Sequence, residues 1–257
     1  MLQVISPLKG FPIQASDGQI GTVADFLFDD AKWTVRWLVV DCGSWLSGRK
    51  VLIHPSAVSP YRVEVPRFDV KLTKAQVEGS PELALDEPVS QQMERRLYSY
   101  YGWDPNGDSP YIGSLPGAAS SPFMPPPYFG LGDGEPRPDN SPELPNGDPH
   151  LRSVVEVIGY HIHAQDGEIG HVENFMIDLA DWRLHYFVVD TRNWWPGKRV
   201  LISPVAVTGI DWPDRHVNLD VTREQVTSSP PWDPLVAFND TFKEQLHTHY
   251  GWPGSGA

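Results

Sequence analysis

The sequence predicts a mainly β protein: two small β-barrels, each followed by a C-terminal helical tail, joined by a Pro/Gly-rich linker. Three observations lead there. Residues 10–103 align without a gap to residues 159–252, a shift of 149, and 23 of the 49 positions between 10–58 and 159–207 are identical. Identity at that level over a fixed offset is the mark of a tandem duplication. Each copy is a series of short apolar runs broken by turn residues, which favours a small barrel over an open sheet. Between the copies the regular apolar pattern stops. Residues 1–103, 104–149 and 150–257 are therefore expected to be repeat 1, linker and repeat 2, each repeat being long enough to bury a core of its own.

Each copy opens on a hairpin. Asp17-Gly18 and Asp166-Gly167 separate short apolar runs, and Asp-Gly suits the positive φ that a tight hairpin turn demands. Gly21 and Gly170 then fall inside the next strand, where a lone glycine signals a bulge or a close backbone approach. A strand over 24–28 ends at Asp29-Asp30. The following strand, 33–41 or 182–190, has apolar residues at 33, 35, 37 and 39 with polar ones at 34 and 36. That alternation predicts one face in a core and one partly wet. Val51-Leu52-Ile53 and Val200-Leu201-Ile202 form the next strand, ended by Pro55 and Pro204. A further strand pair is expected near residues 61–65 and 68–72.

Helix closes each unit. Met93, Leu97 and Tyr101 recur at four-residue spacing, as do Phe242, Leu246 and Tyr250. Thr241-Phe242-Lys243-Glu244 has the form of a capping box, and Gly102 and Gly251 are natural helix stops. The linker differs in kind, with Pro and Gly at 19 of its 46 positions. Such a segment buries too little apolar surface to offset its ordering entropy. Its apolar residues, among them Tyr128 and Phe129, could dock on a barrel or serve a partner that reads extended chain.

Composition narrows the function. The formal charge is −13, divided as −1 over residues 1–103 and −6 over each of 104–149 and 150–257. A field of that sign repels phosphate backbones, so a nucleic-acid partner is not expected. No apolar run reaches the length of a membrane span. The first nine residues lack a charged segment followed by an apolar one, so no signal peptide is expected. The single cysteine, Cys42, aligns with Thr191; it suits a reducing cytoplasm and reads as a buried bystander rather than a nucleophile.

No catalytic constellation emerges and no cofactor is implied. The Asp residues shared by both copies lie in turns, where they satisfy backbone N–H groups. Asp25 becomes Asn174, and no nucleophile elbow or phosphate loop is present. His161 and His163 would share one side of a strand and are weak candidates for a metal. His171 and His185 also fall in repeat 2, where repeat 1 has Thr22 and Arg36. The more informative residues are aromatic. Trp33/Trp182 and Trp45/Trp194 are retained across the copies. Trp45 and Trp194, with Leu46 and Trp195, lie on a loop, where a large aromatic must be covered by the same chain or by a partner.

These residues together resemble the PRC-barrel family. The matching pieces are Asp17-Gly18-Gln19-Ile20-Gly21-Thr22-Val23, Leu38-Val39-Val40-Asp41, Trp45 through Ile53 with Pro55, and Ala57-Val58. Repeat 2 carries their counterparts from Asp166, Phe187, Trp194 and Ala206. The segments from Leu72 and Val221 onward, and the tails ending in Trp103 and Trp252, look like those of bacterial proteins with two such barrels. The family is similar to the cytoplasmic domain of the photosynthetic reaction-centre H subunit and to the barrel of the RimM-type ribosome maturation factor. In both, the resemblance implies an interaction surface rather than an enzyme. The expectation is a non-enzymatic interaction or regulatory adaptor with a protein partner, its two barrels packed on one another as a pseudo-twofold pair. A homo-oligomer stays open, as do a small-molecule or metal sensor in the second barrel and an enzyme with a site between the barrels.

Overall fold

The computed structural model describes residues 2–81, 91–103, 150–191, 198–236 and 238–253. The chain divides into two compact units, one of residues 1–78 with 150–257 and one of residues 79–149. The first unit contains the sheets of both repeats.

In repeat 1 the strands are β1 (Leu2–Val4), β2 (Pro12–Ala15), β3 (Gly18–Asp29), β4 (Thr34–Asp41), β5 (Lys50–Ile53) and β6 (Phe68–Asp69). Repeat 2 contributes β7 (Leu151–Ser153), β8 (His161–Ala164), β9 (Gly167–Asp178), β10 (Arg183–Asp190), β11 (Arg199–Ile202), β12 (Val207–Asp211) and β13 (His216–Leu219). Short helices α1 (Lys74–Glu78), α3 (Val154–Val157) and α4 (Arg223–Ser228) accompany them, and α5 (Asp240–Tyr250) closes the chain. The second unit holds α2 (Gln91–Tyr101).

The hairpin chemistry acts as expected. β2 pairs antiparallel with β3, and β8 with β9, across the two Asp-Gly turns. The long strands β3 and β9 then pair with β4 and β10. Both ladders slip register twice, at equivalent places, which bends each sheet around its core. One slip, at Arg36, sets Val35, Leu38 and Val40 on one face of β4, opposite Phe28, Phe26 and Val23, and the buried Trp37 on the other, opposite Leu27. The core of repeat 1 includes Ile13, Ile20, Leu38, Val51 and Ile53, and that of repeat 2 Ile162, Ile169, Phe187, Val200 and Ile202. Tyr186, on the other face of β10, is buried against Phe238 and His247.

The two sheets are one sheet of 13 strands. Thr34 of β4 pairs with Arg183 of β10, residues related by the 149-residue shift. Val35 N–H donates to the Trp182 carbonyl at 2.8 Å and Leu184 N–H to the Trp33 carbonyl at 2.7 Å. More telling is the exchange of leading strands. β1 of repeat 1 pairs with β9 of repeat 2, Leu2 opposite Asp178, while β7 of repeat 2 pairs with β3 of repeat 1, Leu151 opposite Asp29. Adding 149 to Leu2 gives Leu151, and subtracting it from Asp178 gives Asp29, so the two contacts are reciprocal. Each exchanged segment carries buried apolar residues with it, Ile5 and Leu8 or Val154 and Val157. Burying a side chain of this size stabilises by about 1.5–3 kcal/mol.

Two expectations are corrected. Residues 61–65 form no strand, Val63–Val65 being turn and bend; Phe68–Asp69 pairs parallel to β2, and a single antiparallel bridge joins Val58 to Val70. Repeat 2 builds the full hairpin β12–β13 there. Pro60 and Pro66 of repeat 1 stand where repeat 2 has Gly209 and Arg215, and a proline has no N–H for a ladder. The second correction concerns α5. Its N-cap is Asn239, whose side chain accepts from Phe242 N–H at 2.8 Å, two residues ahead of the Thr241 expected to cap it. Gly102 and Gly251 do end α2 and α5, at φ 67° and 71°. The tails match in detail: Tyr101 stacks on Trp103 at 4.1 Å and Tyr250 on Trp252 at 4.2 Å.

Candidate interaction surface

The motif shared by the two repeats serves the backbone. Asp17 Oδ1 accepts the Lys74 N–H at 2.8 Å and Asp166 Oδ1 the Arg223 N–H at 2.7 Å, so each hairpin turn holds the start of a short helix. Gly21 and Gly170 lie against the chain of the neighbouring strand. A Cβ there would stand 2.1 Å from the carbonyl oxygen of Asp41 or Asp190. Asp29 accepts from Ala31 and Lys32 N–H, and Asp178 from Ala180 N–H. These carboxylates are occupied in closing turns.

Asp25 and Asn174 anchor the exchanged segments. Asp25 accepts from the Ser153 hydroxyl at 2.5 Å and from Val155 N–H at 3.2 Å. Asn174 Oδ1 accepts from Ser6 N–H and from the Ser6 hydroxyl, at 3.3 and 3.0 Å. Burial raises the Asp25 pKa, against the lowering effect of its hydrogen bonds from Ser153, Phe26 and Val155. Burial also pushes the Cys42 thiol up to about 11, with the charge of Asp41 adding to it, which keeps the sulfur protonated and unreactive.

Trp33 and Trp182 lie at the junction of the repeats. Both adopt positive φ, 55° and 59°, as non-glycine residues seldom do. Trp33 stacks on Phe28 at 5.5 Å and meets Phe187 of the other repeat edge-on at 5.1 Å; Trp182 contacts Phe68 of repeat 1 at 5.8 Å. Their retention in both copies follows from this cross-repeat packing.

Trp45 sits differently. It rides on a 3₁₀ turn, Gly43–Leu46, started by Asp41 Oδ1 accepting Gly43 N–H and ended by Ser47 at φ 53°. The indole N–H donates to the Ile20 carbonyl at 2.5 Å, and Lys74 Nζ lies 5.6 Å from the ring centre. The residue remains 36% exposed, with Leu46 partly exposed beside it. Trp194, Trp195, Tyr128 and Phe129 lie outside the described residues.

The histidines of repeat 2 come together more than their spacing in sequence suggests. β13 runs parallel to β8 with His216 opposite His161, and His161 faces His171 of β9. The His163 and His216 rings are 4.2 Å apart, and His161 Nδ1 lies 2.6 Å from Glu168 Oε1. As the side chains stand, no group of three or more His, Cys, Asp or Glu among the described residues is arranged around a metal position. On α5, His247 bridges the Tyr186 hydroxyl and the Pro253 carbonyl, and His249 reaches the Gln225 carbonyl. A cleft of about 710 Å³ opens between α4 and α5, lined by Lys198, Ser228, Thr241, Glu244 and His249. All its walls come from repeat 2, and Lys198 and His249 are already bonded to Thr227 and Gln225 carbonyls.

A family comparison agrees with this geometry. The PRC-barrel domain model matches residues 4–79 and again 150–226. The chain belongs to the PRC-barrel family and carries its domain twice. No curated protein matches the chain. The family is generally non-enzymatic and its domain suggests an interaction module. No helix among the described residues is long and apolar enough to cross a membrane.

Proposed function

We propose that this chain is a non-enzymatic adaptor or regulatory protein in which two interlocked PRC barrels present Trp45 and Leu46 to a protein partner. One observation supports this above the rest. Trp45 has its polar edge tied to the Ile20 carbonyl on a 3₁₀ turn, yet over a third of the residue is open to solvent. A large aromatic fixed in place and left accessible has the form of an interface anchor, whose truncation typically costs about 2 kcal/mol of binding or more. Trp194 and Trp195 occupy the matching positions of repeat 2 and take the same role in this reading. Tyr128 and Phe129 lie on the tether, residues 104–149, that joins repeat 1 (1–103) to repeat 2 (150–257). A reducing cytoplasm suits the buried, protonated Cys42.

The test uses the full chain as bait in extracts of its own cells, beside Trp45→Ala and Leu46→Glu variants with unchanged circular dichroism. The reading requires a protein retained by the native chain and lost from both variants. Equal retention by all three baits, or a turnover activity in the purified chain, would contradict it.

A further inference from the structure

We propose that the solvent face of β13, β8 and β9 binds a divalent transition-metal ion through His161, His163 and His216. The strand pattern brings them together. Ile162 and Val217 are 1% and 0% exposed, so their neighbours along β8 and β13 project from the opposite, outer face. On that face His216 stands opposite His161, in strands whose spacing is about 4.8 Å. His163 lies two residues further along β8. The ring centres are 4.2 Å apart for His163 and His216 and 5.7 Å for His161 and His216.

Glu168 supplies an independent indication. Its Oε1 is 2.6 Å from His161 Nδ1 and it is paired in register with His163. A carboxylate accepting from Nδ1–H leaves the lone pair on Nε2, the arrangement that orients a metal-bound imidazole. The His163 and His216 rings now stack at 27°, so their nitrogens do not converge. Turning these rings about Cβ–Cγ, a broad two-fold torsion, aims them at one ion. Three imidazole donors select Zn²⁺, Ni²⁺ or Cu²⁺ over Mg²⁺ and Ca²⁺, which take oxygen ligands. Repeat 1 has Pro12, Gln14 and Arg67 at the three positions, so the site belongs to repeat 2 alone. It does not depend on the role assigned to Trp45.

Calorimetric titration of the tag-free full chain with Zn²⁺ and with Ni²⁺ is the test. One ion per chain is expected, abolished by His163→Ala or His216→Ala, weakened about tenfold by Glu168→Gln, and unchanged by His185→Ala. No binding, or binding that survives both histidine changes, would overturn the proposal. Should those variants fail to fold, Ni²⁺ added to the unaltered protein gives a second reading from histidine ring NMR signals. The His161, His163 and His216 signals are expected to broaden first; earlier broadening of His247 or His249 would overturn it.

Discussion

Asp25 and Asn174 perform one task with different chemistry, and the difference can be measured. Both accept backbone and hydroxyl hydrogen bonds from an exchanged segment, but only Asp25 buries a charge to do so. Burial raises its folded-state pKa above that of an ordinary aspartate, so the folded protein holds this proton more tightly than the unfolded chain. Acidification therefore favours folding through Asp25, over a window from the raised folded value down to the unfolded value. Asp25→Asn keeps the acceptor for Phe26 and Val155 N–H while removing the buried charge. The variant is expected to be more stable than the native chain at pH 7, by a margin that shrinks as pH falls toward 4. Urea denaturation across that range checks it; a margin that grows on acidification would be the wrong sign.

Among the elements, the short helices show how local chemistry fixes a structure that hydrophobic periodicity overlooks. α4 starts in a full capping box, with Thr222 Oγ1 accepting Gln225 N–H and Gln225 Oε1 accepting Thr222 N–H. Thr73 and Gln76 make the same two bonds ahead of α1. Thr222→Ala is expected to cost about 1 kcal/mol of stability, read as a lower urea midpoint with an unchanged slope. Helices of five or six residues give too few turns for an apolar stripe, so the Thr-x-x-Gln spacing was the signal available for them. The hairpins, the long strands and the tail helices were legible because Asp-Gly turns, alternation and four-residue spacing are local patterns. Strand exchange was not, since Leu2–Val4 and Leu151–Ser153 are three-residue runs whose partners lie far along the chain. The histidine face was half legible for the same reason. His161 and His163 declare themselves in one strand, whereas His216 joins them only through the parallel pairing of β13 with β8.

Taken whole, the sheet-bearing unit is two barrels that complete one another. Each lends its first strand to the other, the Trp33 and Trp182 carbonyls accept across the junction, and neither β3 nor β9 has its full set of partners without the opposite repeat. A duplicated chain thereby reproduces within itself the reciprocal contact of a twofold dimer. Such interlocking predicts a single cooperative folding unit, although the domain occurs twice. The variant Gly21→Ala probes this from one side, because its Cβ would fall 2.1 Å from the Asp41 carbonyl oxygen in repeat 1 alone. Displacing backbone to that extent is expected to cost about 1–3 kcal/mol. Hydrogen exchange read peptide by peptide in this variant is the most direct measurement. Protection of β9 in the unaltered repeat 2 should fall by the same free energy as that of β3. Loss of protection confined to repeat 1, with β9 exchanging as in the native chain, would mean that the barrels fold independently and that the exchanged strands do not couple them.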